Sequence, residues 1–452
     1  MERAESEQHG FGYRGTVLEK LRQARARVGD VVEIVTERGA QRGILMPRAL
    51  VGSDPDHVVI KIDSGYNIGL RLGHEAKVSL VTSSPAIKSK RETPVEPRPE
   101  IPTIAMLSTG GTIASRVDYR TGSVNPALSA WDLYEAVPEI SERVNVRARV
   151  VMSELSENIY PSDWTKIANA VVSEIRRGID GVVVVHGTDT MAYTSAALAF
   201  SVQHSPVPIV LVGAQRSSDR PSSDAFLNLA SALNIASRAD AAEVMLCMHS
   251  GPSDSSVYAH RATRVKKLHT SRRDAFRSID SLPLFRATAT EIEELSVPLL
   301  RRDSSRKVRA KTRFDDSVLL IKSFPGLRES LIKHAVEAGY KGLVIEGTGL
   351  GHVPSRLLPS VKSAIDSGLV VALTSQCIWG RVNLNVYRTG VELLELGAVP
   401  CGNMLSETAL VKMMWLLANT SDSEEVAQKM PIPLVGEINS RTMISDYDID
   451  GA

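Results

Sequence analysis

Cysteine is scarce: the 452 residues include only Cys247, Cys377 and Cys401, scattered and without paired metal-ligand spacing. That argues against a disulfide framework and a cysteine-held metal, so a reduced, cytoplasmic compartment is expected with no metal bound by this chain. Excess charge is missing as well. Lys and Arg total 53 against 52 for Asp and Glu, a formal net charge of +1. Such a balance argues against the whole chain being a polyanion binder, while a local basic patch stays open. No run of about 18 apolar residues occurs, so no membrane span is expected. The opening MERAESEQHGFGYRG is polar and has no apolar signal core. What remains is ordinary globular material, 43% hydrophobic and 23% charged. Its length exceeds what one core usually serves, which predicts two or three domains.

The texture changes along the chain. Residues 11 to 83 read as short Val- and Ile-rich strands between turn residues, as in GDVVEIVTERG and DHVVIKIDSGYNIGLRL. A small all-β domain, barrel or sandwich, is expected over 1–83. SPAIKSKRETPVEPRPEIP, rich in Pro, Ser and charge, reads as a linker over 84–101. Beyond it, apolar strands (TIAML, GVVVV, PIVLVG, EVMLCM, VLLIKS, GLVIEG, GLVVALTS) alternate with helical stretches such as PSDWTKIANAVVSEIRRG and SSDAFLNLASALNIAS. This alternation predicts α/β architecture with a mainly parallel sheet covered on both faces. A second lobe is expected to begin near residue 315, and the tail after Met430 to be extended. Ligands in such sheets sit at the carboxyl ends of strands. Three loops qualify: Ser108–Ser115, His186–Thr190 and Gly347–His352.

The first of these, STGGTIAS, lacks the glycine spacing and lysine of a phosphate loop. It reads either as a tight turn using Gly110 and Gly111 for positive φ, or as a loop presenting a threonine nucleophile with backbone amides for an oxyanion. A threonine hydroxyl needs an activating base, and no local residue supplies one. In HGTDT (186–190), Thr188 and Asp189 follow a strand and open a helix, where Asp189 serves either as a cap or as a site residue. His186 reads as a packing or loop histidine. RVKKLHTSRRDAF (264–276) has three open readings: a solvated charged face, an RNA-contacting patch, or a segment turning one lysine inward beside Thr188 and Asp189.

Taken together, TGGTIAS, HGTDT with its Thr188 76 residues after Thr112, and a lysine before DAF resemble the L-asparaginase/glutaminase amidohydrolase family. The likeness covers roughly residues 102 to 430. LSENIYPSDW is similar to the family's substrate-binding segment, and TSQCIWGRVNLNVYRTG and CGNMLSETALVKMMWLL to its C-terminal lobe. The resemblance implies an asparaginase-like two-lobe parallel-sheet sandwich preceded by the small all-β domain. Its lobes are expected over 102–310 and 311–430, with a tail over 431–452.

By the same resemblance Thr112 is the nucleophile, and Thr188, Asp189 and Lys267 form the proton-handling set. Lys267 is preferred over Lys266 for its family-like K-x-H context. Tyr119 is a candidate first base, and Gly111, Ser156 and Glu157 are candidate substrate-binding residues. The N-terminal addition and the wording ASRVDYRTGSVNPA are similar to one branch of the family, the D subunits of archaeal-type glutamyl-tRNA(Gln) amidotransferases. That branch implies a glutaminase working with an E-type subunit in a heterotetramer built on a homodimer. The partner would carry ATP and Mg²⁺, with no cofactor on this chain, and would hold most of tRNA(Gln). A free-standing cytoplasmic asparaginase with an accessory domain is the first alternative. A non-catalytic subunit is the second, and an intact Thr112, Thr188, Asp189, Lys267 set argues against it.

Overall fold

The computed structural model describes residues 13–46, 54–62, 67–73, 75–83, 98–110, 115–117, 124–126, 142–216, 223–295, 299–420 and 422–441. Three expected site residues, Gly111, Thr112 and Tyr119, lie outside the described residues. Chain contacts form two compact units. One comprises the described parts of 1–96, 114–128 and 216–223, and the other takes the rest.

The first unit begins with helix α1 (Gly15–Gln23), then strands β1 (Val31–Thr36), β2 (Gly39–Leu45), β3 (His57–Lys61), β4 (Asn67–Arg71) and β5 (Lys77–Thr82). They form an antiparallel sheet in the order β4-β3-β2-β1-β5. Val32 and Ile34 alternate inward along β1 and meet Leu45, Val58 and Ile60. The expectation of strands alone missed α1. Val17 and Leu21, four residues apart and both buried, give this short helix its inward face. A short antiparallel pair, β7 (Ser115–Val117) with β8 (Val124–Pro126), falls in the same unit.

In the second unit an eight-stranded sheet contains β6 (Thr103–Gly110), β9 (Asn145–Glu154), β10 (Gly181–Val185), β12 (Ile209–Val212), β13 (Val244–His249), β14 (Val257–Arg261), β17 (Phe285–Ala287) and β18 (Ile292–Glu294). Strands β9, β6, β10, β12 and β13 run parallel, as expected. Strands β14, β17 and β18 extend the sheet antiparallel, which strand texture did not disclose. The connection over 250–256 is too short for a crossover, so β14 returns as a hairpin. Two further pairs are β11 (Val202–Gln203) with β19 (Arg309–Ala310), and β15 (Val265–Lys267) with β16 (Phe276–Ser278).

Helices α2 (Pro161–Arg176), α3 (Met191–Ser201) and α4 (Ala225–Arg238) cover this sheet. Pro161 starts α2, and Asp163 accepts the Tyr160 N–H at 3.0 Å. The second lobe is wholly parallel, β20 (Val318–Lys322), β21 (Gly342–Gly347), β22 (Val370–Ser375) and β23 (Val399–Pro400). Its helices are α5 (Ser330–Glu337), α6 (Leu358–Asp366), α7 (Arg388–Glu395), α8 (Ser406–Asn419) and α9 (Ser423–Lys429). Helix α3 is buried almost all round because it lies between the two lobes. Its Phe200 stacks on Trp415 of α8 with centroids 6.0 Å apart. No helix among the described residues is long and apolar enough to cross a membrane.

Candidate active site

Parallel pairing brings the first two predicted loops to one edge. Strands β6 and β10 are neighbours with Ser108 in register with Val185, so their carboxyl ends lie side by side. The pairing is locked by a side chain: the buried Thr109 hydroxyl donates to the Val185 carbonyl at 3.0 Å. Gly110 then takes φ +106°, and a Cβ there would overlap the Glu154 backbone on β9. The turn reading of Gly110 is therefore realised, and Thr109 is its structural partner.

The HGTDT loop follows β10. Lys267 Nζ donates to Thr188 Oγ1 at 2.9 Å and to Asp189 Oδ1 at 2.7 Å. Thr188 and Lys267 are largely buried, while Asp189 is 65% exposed and so faces the open side. Asp189 does not cap α3. The residue preceding that helix is Thr190, whose hydroxyl donates instead to the Ser156 carbonyl at 2.6 Å. This bond ties the loop to the turn Ser156–Asn158, in which Ser156 is buried and Glu157 exposed. The described residues thus bring Thr188, Asp189, Lys267 and Ser156 together, with Glu157 on the same turn as Ser156.

His186 has a structural task. Its Nδ1 faces the Gly187 carbonyl at 2.7 Å, and its Nε2 lies 2.9 Å from Thr194 Oγ1, which in turn accepts from Trp164 Nε1 at 3.1 Å. Complete burial drops its pKa to about 4, so it is neutral, with Nδ1–H donating and Nε2 accepting. The chain Trp164–Thr194–His186 fixes the start of the loop. Gly213, at the end of β12, leaves room for it: a Cβ there would stand 2.7 Å from the His186 carbonyl and 3.0 Å from Thr188 Cγ2. Sequence reasoning passed over Gly213, although the terminal glycine of PIVLVG was a readable signal beside a crowded strand end.

The three readings of RVKKLHTSRRDAF separate here. Lys267 turns inward. Lys266 pairs with Glu407, Arg264 is fully buried, Arg272 makes a fork with the buried Asp274 at 2.8 and 2.7 Å, and Arg273 pairs with Asp254. The stretch is neither a plain solvated face nor a row of unpaired cations. The third predicted loop, Gly347–His352, closes on itself through the Thr348–His352 bridge at the carboxyl edge of the second sheet. Among the described residues no group of His, Cys, Asp and Glu is placed to hold a metal.

Comparison with known proteins identifies the family. The sequence matches the families described as Asparaginase, N-terminal over residues 103–298, Glutaminase/Asparaginase C-terminal domain over 317–430, and GatD N-terminal domain over 26–81. It is 47% identical to the D subunit of glutamyl-tRNA(Gln) amidotransferase from Pyrococcus furiosus, over 94% of this chain and 98% of that one. Identity to the protein of the same name from Methanothermobacter thermautotrophicus is 46%, covering 97% of this chain and all of that one. Among solved structures, the thermostable L-asparaginase from Thermococcus kodakarensis superposes with a TM-score of 0.68 at 32% identity, covering 75% of this chain and 100% of that one. L-asparaginase I from Vibrio cholerae gives 0.66 at 28%, covering 75% and 99%.

Proposed function

Because the chain belongs to the family of glutamyl-tRNA(Gln) amidotransferase D subunits, we propose that its asparaginase-type site uses Thr112, Thr188, Asp189 and Lys267 to release ammonia from glutamine. The protein is the glutaminase subunit of a tRNA-dependent amidotransferase and works with a partner amidotransferase subunit. In this reading the partner is an E-type subunit that binds ATP, Mg²⁺ and most of tRNA(Gln), within a cytoplasmic heterotetramer built on a homodimer. Ammonia made here amidates the ATP-activated γ-carboxyl of glutamate on misacylated tRNA(Gln).

One observation carries the assignment: Lys267 Nζ donates to both Thr188 Oγ1 and Asp189 Oδ1. Thr112 Oγ attacks the side-chain amide carbon of glutamine, and the C–N bond breaks as the hydroxyl proton is passed to the leaving nitrogen, which departs as ammonia. Water then attacks the acyl-enzyme. Its proton passes through the Thr188 hydroxyl to the Lys267 amine and is returned to Thr112 Oγ as the C–O bond breaks, so glutamate leaves and the Thr112 hydroxyl is restored. Asp189 holds the lysine by one oxygen, and its exposed carboxylate is suited to the α-ammonium of the substrate. Ser156 and Glu157, on the turn tied to this loop through Thr190, are candidate substrate-binding residues together with Gly111, and Tyr119 is the candidate base for Thr112.

The free-standing asparaginase is the disfavoured alternative, since the asparaginase structures match 75% of this chain and the D subunits 94% or more. Assay of the purified chain alone, then with its partner and Glu-tRNA(Gln), tests the choice. Glutaminase activity that rises on adding both supports the proposal. Rapid asparagine hydrolysis by the chain alone, indifferent to partner and tRNA, overturns it.

A further inference from the structure

We infer that Arg264 is a positioning residue for this reaction: its buried guanidinium locks the base of the hairpin that carries Lys267. The inference rests on the role proposed above for Lys267. Strands β15 and β16 have three residues each, and among the described residues they pair only with one another. A two-stranded ribbon this short does not fix its own orientation. Something outside it has to decide where Lys267 Nζ stands against Thr188.

Arg264 immediately precedes β15, three residues before Lys267, and is fully buried. Its Nη2 donates to the carbonyl of Asp280, two residues beyond β16, at 3.0 Å, which closes the base of the hairpin. Its Nη1 donates to the Asn403 carbonyl, in the loop before α8, at 2.7 Å, and to the Glu437 carbonyl in the C-terminal segment at 3.2 Å. One guanidinium therefore bolts the hairpin to two other segments.

Asp280 completes the joint. It holds φ +48°, unusual for a residue with a Cβ, and its carboxylate accepts from Asn403 Nδ2 at 3.2 Å and Gly380 N at 3.3 Å. Its carbonyl also accepts from Asn439 Nδ2 at 2.5 Å. Lateral ties from α8 complete the mooring: Lys266 pairs with Glu407, and Thr408 Oγ1 donates to the Thr263 carbonyl at 3.2 Å.

The Arg264 charge has a partner, since Nη2 also lies 3.7 Å from the buried Asp280 carboxylate, which an apolar side chain here would leave uncompensated. A rigid fork aimed at three main-chain carbonyls fixes relative position, which apolar packing does not. Proton transfer through Thr188 is sensitive to that position, since a displacement of about 1 Å in a catalytic group costs on the order of a hundredfold in rate.

The test uses Arg264→Lys, which keeps the charge and loses the fork, and Asn439→Ala, which removes one tie at the edge of the joint. Both are assayed in the assembled amidotransferase, with glutaminase sites counted by titration with L-glutamate. Ammonium-supplied amidation reports intact assembly, and Lys267→Met is run alongside. The expected result for Arg264→Lys is a fall of about 10- to 100-fold in kcat per counted site. KM for glutamine is little changed, the pH–rate profile is displaced, and ammonium-supplied amidation is retained. Asn439→Ala gives a smaller displacement in the same direction and carries the test if Arg264→Lys does not fold. Unchanged kcat per site and an unchanged pH profile in the folded variants overturn the inference. Full activity in Lys267→Met instead overturns the catalytic reading on which it rests.

Discussion

Lys267 Nζ meets Thr188 Oγ1 at 2.9 Å across 79 residues of chain. The threonine stands at the end of a five-residue buried strand, and the lysine arrives on a separate two-stranded hairpin. Their meeting depends on the packing of elements that have no local reason to be together. Perturbations of that packing are therefore expected to appear in turnover before they appear in stability.

Gly213→Ala isolates this effect. The added methyl would stand 2.7 Å from the His186 carbonyl and 3.0 Å from Thr188 Cγ2, so the HGTDT loop must shift. Glutamine-dependent turnover is expected to fall by on the order of tenfold or more, while overpacking costs about 1–3 kcal/mol. Wild-type turnover in a folded Gly213→Ala variant would show that the loop is not held against β12.

The C-terminal segment hangs on a buried ion pair. Lys412 and Glu437 are both fully buried, 2.6 Å apart; Lys412 also donates to the Met430 and Ile432 carbonyls, and Glu437 accepts from the Leu434 and Val435 amides. Burial holds the Lys412 ammonium below the usual lysine range, opposed by the Glu437 carboxylate. Glu437→Leu strands the lysine and is expected to cost about 3–5 kcal/mol in thermal unfolding. Lys412→Met combined with Glu437→Leu should recover part of that loss. A double variant no more stable than Glu437→Leu alone would count against the pairing.

Two buried histidines set an acid limit on stability. Burial lowers His186 to about 4 and His260 to about 3, both from 6.5. The unfolded chain binds protons at these positions below about pH 6.5, where the folded chain refuses them, so stability falls as pH drops from 6.5 toward 4 and on toward 3. His186 accounts for about 3 kcal/mol of that fall. His186→Asn removes its titration, and the decline in melting temperature between pH 7 and pH 4.5 should become shallower. An unchanged slope would mean that His186 is protonated, or exposed, in the folded protein.

How far the sequence disclosed these relationships varies with the kind of signal. Apolar strand texture was sufficient for β6, β10, β12, β13, β20, β21 and β22, because a buried parallel strand needs a continuous Val/Ile/Leu run. Hairpin return of β14 was not visible, since strand texture carries no direction. Helix α1 was missed in a region read for strands, its two buried residues giving little periodicity. Thr188, Asp189 and Lys267 were singled out through motif order, and their hydrogen bonds appear only in three dimensions. Arg264 reads in the sequence as one more surface charge. An arginine in a basic run looks solvated until its acceptors, carbonyls more than 130 residues away in two of three cases, are folded around it.

The proposed release of ammonia from glutamine at Thr112 and Thr188 separates the two nitrogen donors of the complex. The direct measurement is Gln-tRNA(Gln) formation by the assembled amidotransferase carrying Thr112→Ala or Thr188→Ala, with glutamine or ammonium chloride as nitrogen donor. Loss of the glutamine-supported reaction by about 10²-fold or more, with the ammonium-supported reaction retained, is the predicted result. Wild-type rates with glutamine in either variant would contradict it.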